Sequence, residues 1–177
     1  MPYISQETCF ALKGGTAINL FLRDMPRLSV DLDLVYVPVE ERETSLTLMD
    51  AAMRRIAIRI RNALPDVVVA ESVLPKIDKC IRLQVMRNTI SIKIEVSPVL
   101  RGVLNPLHAQ VLAPKVQAEY GYARMNLLDA ADIYAGKLCA ALDRQHPRDL
   151  FDVHFLLANE GITPALKDTF LIYLISS

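Results

Sequence analysis

The chain has 177 residues, 52% of them hydrophobic and 23% charged, with 20 basic residues balancing 20 acidic ones; this suits one folded domain and excludes intrinsic disorder. Zero net charge removes the global basic signal of a nucleic-acid-coating protein and leaves only local patches for such contacts. Cys9, Cys80 and Cys139 are too scattered for a disulfide framework or a zinc site, and with no leader pattern and no apolar run of roughly 18 residues the expected place is the reducing cytoplasm, away from membranes.

In chain order, Gly14 and Gly15 break the chain, and Thr16 reads as the N-cap of a short helix over 17–23 that Pro26 ends. A strand over 27–37 follows, closed by Pro38. Leu48, Ala52, Ile56 and Ile60 recur at helical spacing and predict a long helix over 45–64. Strands are predicted over 67–74, 80–87 and 89–96, the last two forming a hairpin at Arg87-Asn88-Thr89. Residues 99–114 are Pro-marked and irregular, and 116–120 reads as a short strand. Helices are predicted over 127–143, capped by Asn126, and from Pro147 to about residue 159, with Gly161 as the C-cap glycine. The order predicts an α+β fold with a mixed sheet and an all-helical C-terminal part, divided near residues 122 and 123. The apolar ending TFLIYLISS predicts that the natural protein continues beyond it.

The strand RLSVDLDLVYV carries the chemistry. Side chains alternate across a strand, so Arg27, Ser29, Asp31 and Asp33 share one face, and Leu28, Val30, Leu32 and Leu34 the other. Carboxylates at i and i+2 lie roughly 6–7 Å apart at Cα. Left alone they repel, and one takes a raised pKa. A divalent cation relieves this, and Mg²⁺ is typically held by one or two carboxylates plus phosphates. An exposed strand face whose acids pair with Arg27 is the plainer account. In TISIKIEVSP, Glu95 also stands on the polar face of an apolar strand, with Ser91, Lys93 and Ser97. If the two strands are neighbours, Asp31, Asp33 and Glu95 form an acidic triad able to hold two metals for in-line phosphoryl displacement. Otherwise Lys93 and Glu95 are a surface ion pair.

Further along, the Gly14-Gly15-Thr16 turn offers backbone N–H groups to a phosphate at a helix start, although it is neither GxGxxG nor a P-loop. Lys137 and Arg144 share a helix face, and Arg148 and Asp152, spaced i,i+4, are expected to pair. Cations facing the carboxylates would clamp a triphosphate; a salt-bridged helix surface accounts for the same residues. Arg54, Arg55, Arg59 and Arg61 form either a basic helix face or an ordinary solvated one. His146, before Pro147, reads as a loop or cap residue.

Together these motifs resemble a family. LKGGTAINLF…PRLSVDLDLVY, then IKIEVSP, then DIYAGKLCAALDRQHPRDLFDVHFLL is similar to the AbiEii/AbiGii-type nucleotidyltransferase toxins of the DNA polymerase β-like superfamily. The match runs in order from about Leu12 to Leu157, and the combination is far more specific than any one motif. The resemblance implies that Gly14, Gly15 and Thr16 contact a nucleoside triphosphate, with Arg27, Ser29, Lys137, Arg144 and Arg148 beside them. It implies that Asp31, Asp33 and Glu95 hold Mg²⁺, with Mn²⁺ as an alternative. It implies that Lys137 contacts phosphate and that Asp149 or Asp152 is the functional acid of the last motif. The expected activity is transfer of a nucleoside monophosphate to an acceptor hydroxyl, RNA and tRNA foremost, by the toxin of a toxin–antitoxin or phage-defence pair with a separate antitoxin. Two rivals stay open: a metal-dependent nuclease, and a non-catalytic nucleotide- or antitoxin-binding module.

Overall fold

The computed structural model describes residues 1–176, which form seven strands and six helices. They run β1 (Phe10–Lys13), α1 (Gly14–Ala17), β2 (Leu32–Tyr36), α2 (Arg42–Ala63), β3 (Val68–Leu74), β4 (Lys79–Arg87), β5 (Ile90–Arg101), β6 (His108–Val111), α3 (Pro114–Tyr120), β7 (Arg124–Leu127), α4 (Ala130–Arg144), α5 (Pro147–Asn159) and α6 (Pro164–Ile175). A π-helical turn, Ile18–Leu22, extends α1.

The strands make one sheet in the order β3-β4-β5-β2-β1-β7-β6. The β2–β5 and β1–β7 pairs are parallel and the others antiparallel, so the sheet is mixed and the fold α+β. Strand β7 lies past residue 122 and still belongs to this sheet, between β1 and β6.

The core is where alternation requires it. Leu32 and Leu34 of β2 sit opposite Ile94 and Val96 of β5, and Ile94 opposite Leu83 of β4. All are buried on one face, and α2 packs across β3 and β4 there. The apolar stripe of α2, Leu46, Met49, Met53, Ile56 and Ile60, is buried along its length. At about 25 cal/mol per Å² of apolar surface, this stripe is the main reason the helix stays on the sheet. On the other face α1 meets α4, which packs against α5 and α6. Asp33 belongs to that second face, and the cleft opens there.

Several predicted elements differ. The strand over 27–37 shortens to Leu32–Tyr36 because Arg27 leaves the sheet to bind Asp152. Thr16 is not an N-cap: α1 begins at Gly14 after Lys13, and the Thr16 hydroxyl donates to the Asp31 carbonyl. Residues 116–120 are not a strand. Pro114 occupies the first turn of α3, where its missing N–H costs nothing, and Lys115, Gln117 and Glu119 favour a helix. Asn126 lies within β7 and caps no helix; the α4 cap is Asp129, whose Oδ1 accepts from Ala131 N at 2.8 Å. The irregular 99–114 stretch contains β6, and β1 precedes the glycines. Gly161 does end α5, with φ +69° and its N–H on Leu156 O at 2.9 Å. His146 caps α5, its Nδ1 accepting from Arg148 N at 3.1 Å.

Candidate active site

Four strands build one charged row. Lys13 of β1 is opposite Asp33 of β2, Asp33 is opposite Glu95 of β5, and Glu95 is opposite Arg82 of β4. Residues directly opposed on neighbouring strands project to the same face. The row therefore reads plus, minus, minus, plus across the open side of the sheet. Opposed like charges destabilise a sheet, so the central Asp33–Glu95 pair needs positive charge nearby.

Asp31 stands one residue before β2 and is held at two points. Its Oδ1 accepts from Lys93 N at 3.2 Å. Its carbonyl accepts from the hydroxyl of Thr16, which is fully buried and lies 3.2 Å from Ser29 Oγ. The Lys93–Glu95 ion pair also forms, at 2.9 Å, so the structure contains both the carboxylate pair and the cation beside it. Arg82 binds the second Glu95 oxygen.

The electrostatics follow from these contacts. Burial pushes the Asp33 carboxyl above the usual carboxylate range; Glu95 and Asp31 push the same way, and Lys93 and Lys13 only partly offset them. Burial acts to raise Glu95 too, but the hydrogen bonds from Arg82 and Lys93 prevail and hold it below its ordinary value. Burial pulls the Lys13 ammonium down, against the attraction of Asp33 and Glu95. Asp33 is thus short of compensating charge, in a set of hard oxygen donors suited to Mg²⁺ or Mn²⁺. Among the described residues no three acidic, His or Cys side chains already converge on one metal position.

A second cluster faces the row from the helices. Lys137 is buried in α4, its Nζ 2.7 Å from Asp149 and 3.2 Å from Asp152. Arg144, two helical turns further on, donates Nε to the other Asp149 oxygen at 2.7 Å. Lys137 and Arg144 thus share a face, as their spacing predicts. Asp152 does not pair with Arg148. It points inward, accepting from Arg27 through both Nε, at 2.8 Å, and Nη2, from Asn19 Nδ2 at 3.3 Å, and from Lys137. Arg148 is exposed on α5. Asp149 and Asp152 thus each bind two of the cluster's cations.

Row and cluster meet in a cleft of about 840 Å³, within the range of small-molecule sites. Its lining includes Lys13, Gly14, Asp33, Glu95, Lys137 and Arg144. Val99, Leu104 and Ile133 also line it, as does Tyr173, whose hydroxyl donates to Asp132 at 3.0 Å. Gly15, Thr16, Arg27, Ser29, Asp31, Arg148, Asp149 and Asp152 are outside its lining; Thr16 is bonded to Ser29, and Arg27 to Asp152.

A side chain at either glycine would push on the site residues around it. A Cβ at Gly14, where φ is +73°, would lie 2.8 Å from Asp33 Oδ2. One at Gly15 would lie 2.7 Å from Arg27 Nη2 and 2.9 Å from Ser29 Oγ. Gly14→Ala is expected to cost about 1–2 kcal/mol in backbone strain. By displacing the Asp33 carboxylate it should also lower turnover about 10²-fold. A thermal melt and a turnover assay on the same preparation check this; unchanged turnover would show that the turn does not set Asp33.

Sequence reasoning missed Lys13 and Arg82. Lys13 directly precedes the glycines, and that adjacency was its only signal. Arg82 acquires its place solely from sheet register. It also left the four α2 arginines open as a basic face. All four are occupied: Arg54 and Arg61 by Glu71, and Arg55 and Arg59 by Glu7. His108, without an assigned partner from sequence, binds Asp129 at 2.8 Å.

The sheet is mixed, with opposed carboxylates on its central parallel strands and cations on the helices that share the cleft. The fold is similar to MenT4, a nucleotidyltransferase toxin from Mycobacterium tuberculosis H37Rv, with TM-score 0.69 and 18% identity over 97% of this chain and 60% of that one. It is also similar to JHP933 from Helicobacter pylori, with TM-score 0.56 and 22% identity over 99% of this chain and 76% of that one. The chain thus spans about 60% of the length of MenT4. Residues 2–177 match the family described as nucleotidyl transferase AbiEii toxin, type IV toxin–antitoxin system, and the chain belongs to that family. No curated protein matches it. None of the helices formed by the described residues is long and apolar enough to cross a membrane.

Proposed function

We propose that the chain transfers a nucleoside monophosphate from a nucleoside triphosphate to an acceptor hydroxyl. The observation that carries this reading is the Asp33–Glu95 opposition on adjacent parallel strands, in the lining of a cleft that also presents Lys13, Lys137 and Arg144. The acceptor class, RNA and tRNA in particular, comes from the family resemblance, as does the separate antitoxin. The proposed setting is the cytoplasm, as the toxin of a toxin–antitoxin or phage-defence pair.

Each residue has a role in this reading. Asp31 and Asp33 would hold Mg²⁺, with Glu95 as the third carboxylate; the ion, when bound, neutralises charge on the triphosphate as the α-phosphoryl group is transferred. Gly14 and Gly15 present backbone N–H groups to the phosphates, and Thr16 fixes the Asp31 backbone beneath them. Lys13, Lys137 and Arg144 stabilise the charge that develops on the leaving pyrophosphate. Glu95, freed from Lys93 and Arg82, accepts the proton of the acceptor hydroxyl. That oxygen bonds to the α-phosphorus, the bond to the β-phosphate oxygen breaks, and pyrophosphate leaves.

The test incubates the chain with Mg²⁺, each α-labelled nucleoside triphosphate in turn, and total cellular RNA, with Asp31→Asn as the blank. Label on an RNA band that disappears in the blank is the expected result, and it names the nucleotide and acceptor class together. RNA cutting without any triphosphate would replace this reading with the nuclease one. Label equal in both chains would remove Asp31 from the site.

A further inference from the structure

Asn19 is not among the residues that the sequence motifs single out, yet it stands where the glycine turn meets the helical cluster. It lies on the π-helical turn Ile18–Leu22 and is fully buried. Its Nδ2 donates to Gly15 O at 2.8 Å and to Asp152 Oδ1 at 3.3 Å. Its own carbonyl accepts from Met25 N at 2.8 Å. Its Oδ1 has no hydrogen-bond donor among the described residues.

These contacts close a ring. Gly15 is joined to Asn19, Asn19 to Asp152, and Asp152 to Arg27, whose Nη2 lies 2.7 Å from the point where a Gly15 Cβ would be. Asp152 also receives Lys137, at 3.2 Å. The turn that would present N–H groups to the triphosphate is thereby tied, through one amide, to the lysine that would face the same phosphates. A buried carbonyl left unpaired is costly. An apolar side chain of the same size would avoid that cost but would lose both donated bonds. π-Helical turns inside helices often mark functional positions, and this one carries the amide to a place that serves both neighbours.

We infer that Asn19 is a positioning residue for the nucleotide: it holds the Gly14–Gly15 turn in register with Asp152 and hence with Lys137. The inference rests on the nucleotidyl-transfer reading and deepens it. Asn19 reaches the substrate only through Gly15 and Asp152. Its loss should therefore weaken triphosphate binding beyond what a general loosening of the fold would do.

The experiment is a calorimetric titration of the full chain with ATP, CTP, GTP and UTP in turn, in Mg²⁺, on wild type, Asn19→Leu, Asn19→Ser and Met53→Ala. Leu keeps the branched outline of Asn, with two larger methyl groups in place of the amide oxygen and nitrogen, and has no donor. Ser can return a bond to the carbonyl four residues back, Gly15 O, but cannot span to Asp152. Met53 is buried in α2 on the opposite face of the sheet, so its truncation destabilises without touching the ring. Thermal melts of all four accompany the titrations. The expected result is a dissociation constant about tenfold weaker in Asn19→Leu, an intermediate loss in Asn19→Ser, and wild-type binding in Met53→Ala despite its lower Tm. If Asn19→Leu does not fold, Asn19→Ser against Met53→Ala decides. Unchanged binding in the Asn19 variants overturns the inference, as does equal weakening in Met53→Ala. Wild type that binds no triphosphate overturns the nucleotidyl-transfer reading, and this inference with it; wild type that binds while the variants match it overturns the inference alone.

Discussion

Asp33→Asn should lower nucleotidyl transfer by about 10²–10³-fold while leaving the protein folded with a Tm at or above that of wild type. The two halves of this expectation come from one geometry. Asp33 is directly opposite Glu95, and burial and both neighbouring acids push its carboxyl above the usual range, only partly offset by Lys93 and Lys13. The folded state therefore disfavours the ionised carboxylate. Asparagine keeps the shape and removes the charge, so the sheet loses a repulsion and the site loses its donor. The pH dependence has a definite sign. A group whose folded pKa is raised contributes stability that is complete below its unfolded value, near 3.8, and lost as pH rises through the raised folded value. The Tm advantage of Asp33→Asn should therefore be largest near neutrality and vanish as pH falls through the raised value. Asp31→Asn should lose activity comparably; its hydrogen bond from Lys93 N can be kept by the amide oxygen. Melts across pH, run beside the labelled-transfer assay, check both. A fall in Tm with activity intact would make Asp33 a structural acid. A site that opposes stability in this way trades it for function.

How much of this was legible in the sequence differs residue by residue. The acids of LDL and IEV were legible because single charges interrupt apolar alternation, and alternation survives folding. That they face each other was not legible, because β2 and β5 are parallel neighbours joined through α2, β3 and β4, and no local signal fixes such a pairing. Strand β1 was missed because Phe10, Ala11 and Leu12 are all buried. A four-residue strand buried on both faces has no period to detect. Residues 116–120 were read as a short strand, when Pro114 at the first helical position was the better signal. Lys137 and Arg144 were read correctly as one face, because helical spacing is local. The Arg148–Asp152 expectation used the same rule and failed. Asp152 has Arg27 within reach in the buried interior, and a desolvated bidentate pair outcompetes an exposed i,i+4 contact. Asn19 and Arg82 gain their roles only from tertiary register, so the sequence gives no sign of them.

Lys137→Met should have the largest combined effect, lowering stability by about 2–3 kcal/mol and turnover by about 10²–10³-fold. The buried ammonium is shared by Asp149 and Asp152, at 2.7 and 3.2 Å. Removing it leaves two buried carboxylates with Arg144 and Arg27 as their remaining counter-charges, which is why the expected cost is below that of a fully orphaned buried charge. For a chain of this size the loss corresponds to about 5–10 °C in Tm. Burial acts to raise Asp149, but its bonds from Arg144 and Lys137 hold it below its ordinary value. Its contribution to stability is therefore present above the unfolded pKa and lost as pH falls through the depressed folded one. Without Lys137 that depression shrinks, so the Tm gap between wild type and Lys137→Met should narrow as pH falls through the carboxylate range. The double variant Lys137→Met/Asp149→Asn, read against Asp149→Asn alone, separates structure from chemistry. Removing one of the two under-compensated carboxylates should recover part of the stability. If Lys137 acts on the triphosphate, transfer stays lost even as the Tm returns. Transfer that recovers together with Tm would mean that Lys137 only holds the helices in place, and the phosphate contact would then fall to Lys13 and Arg144.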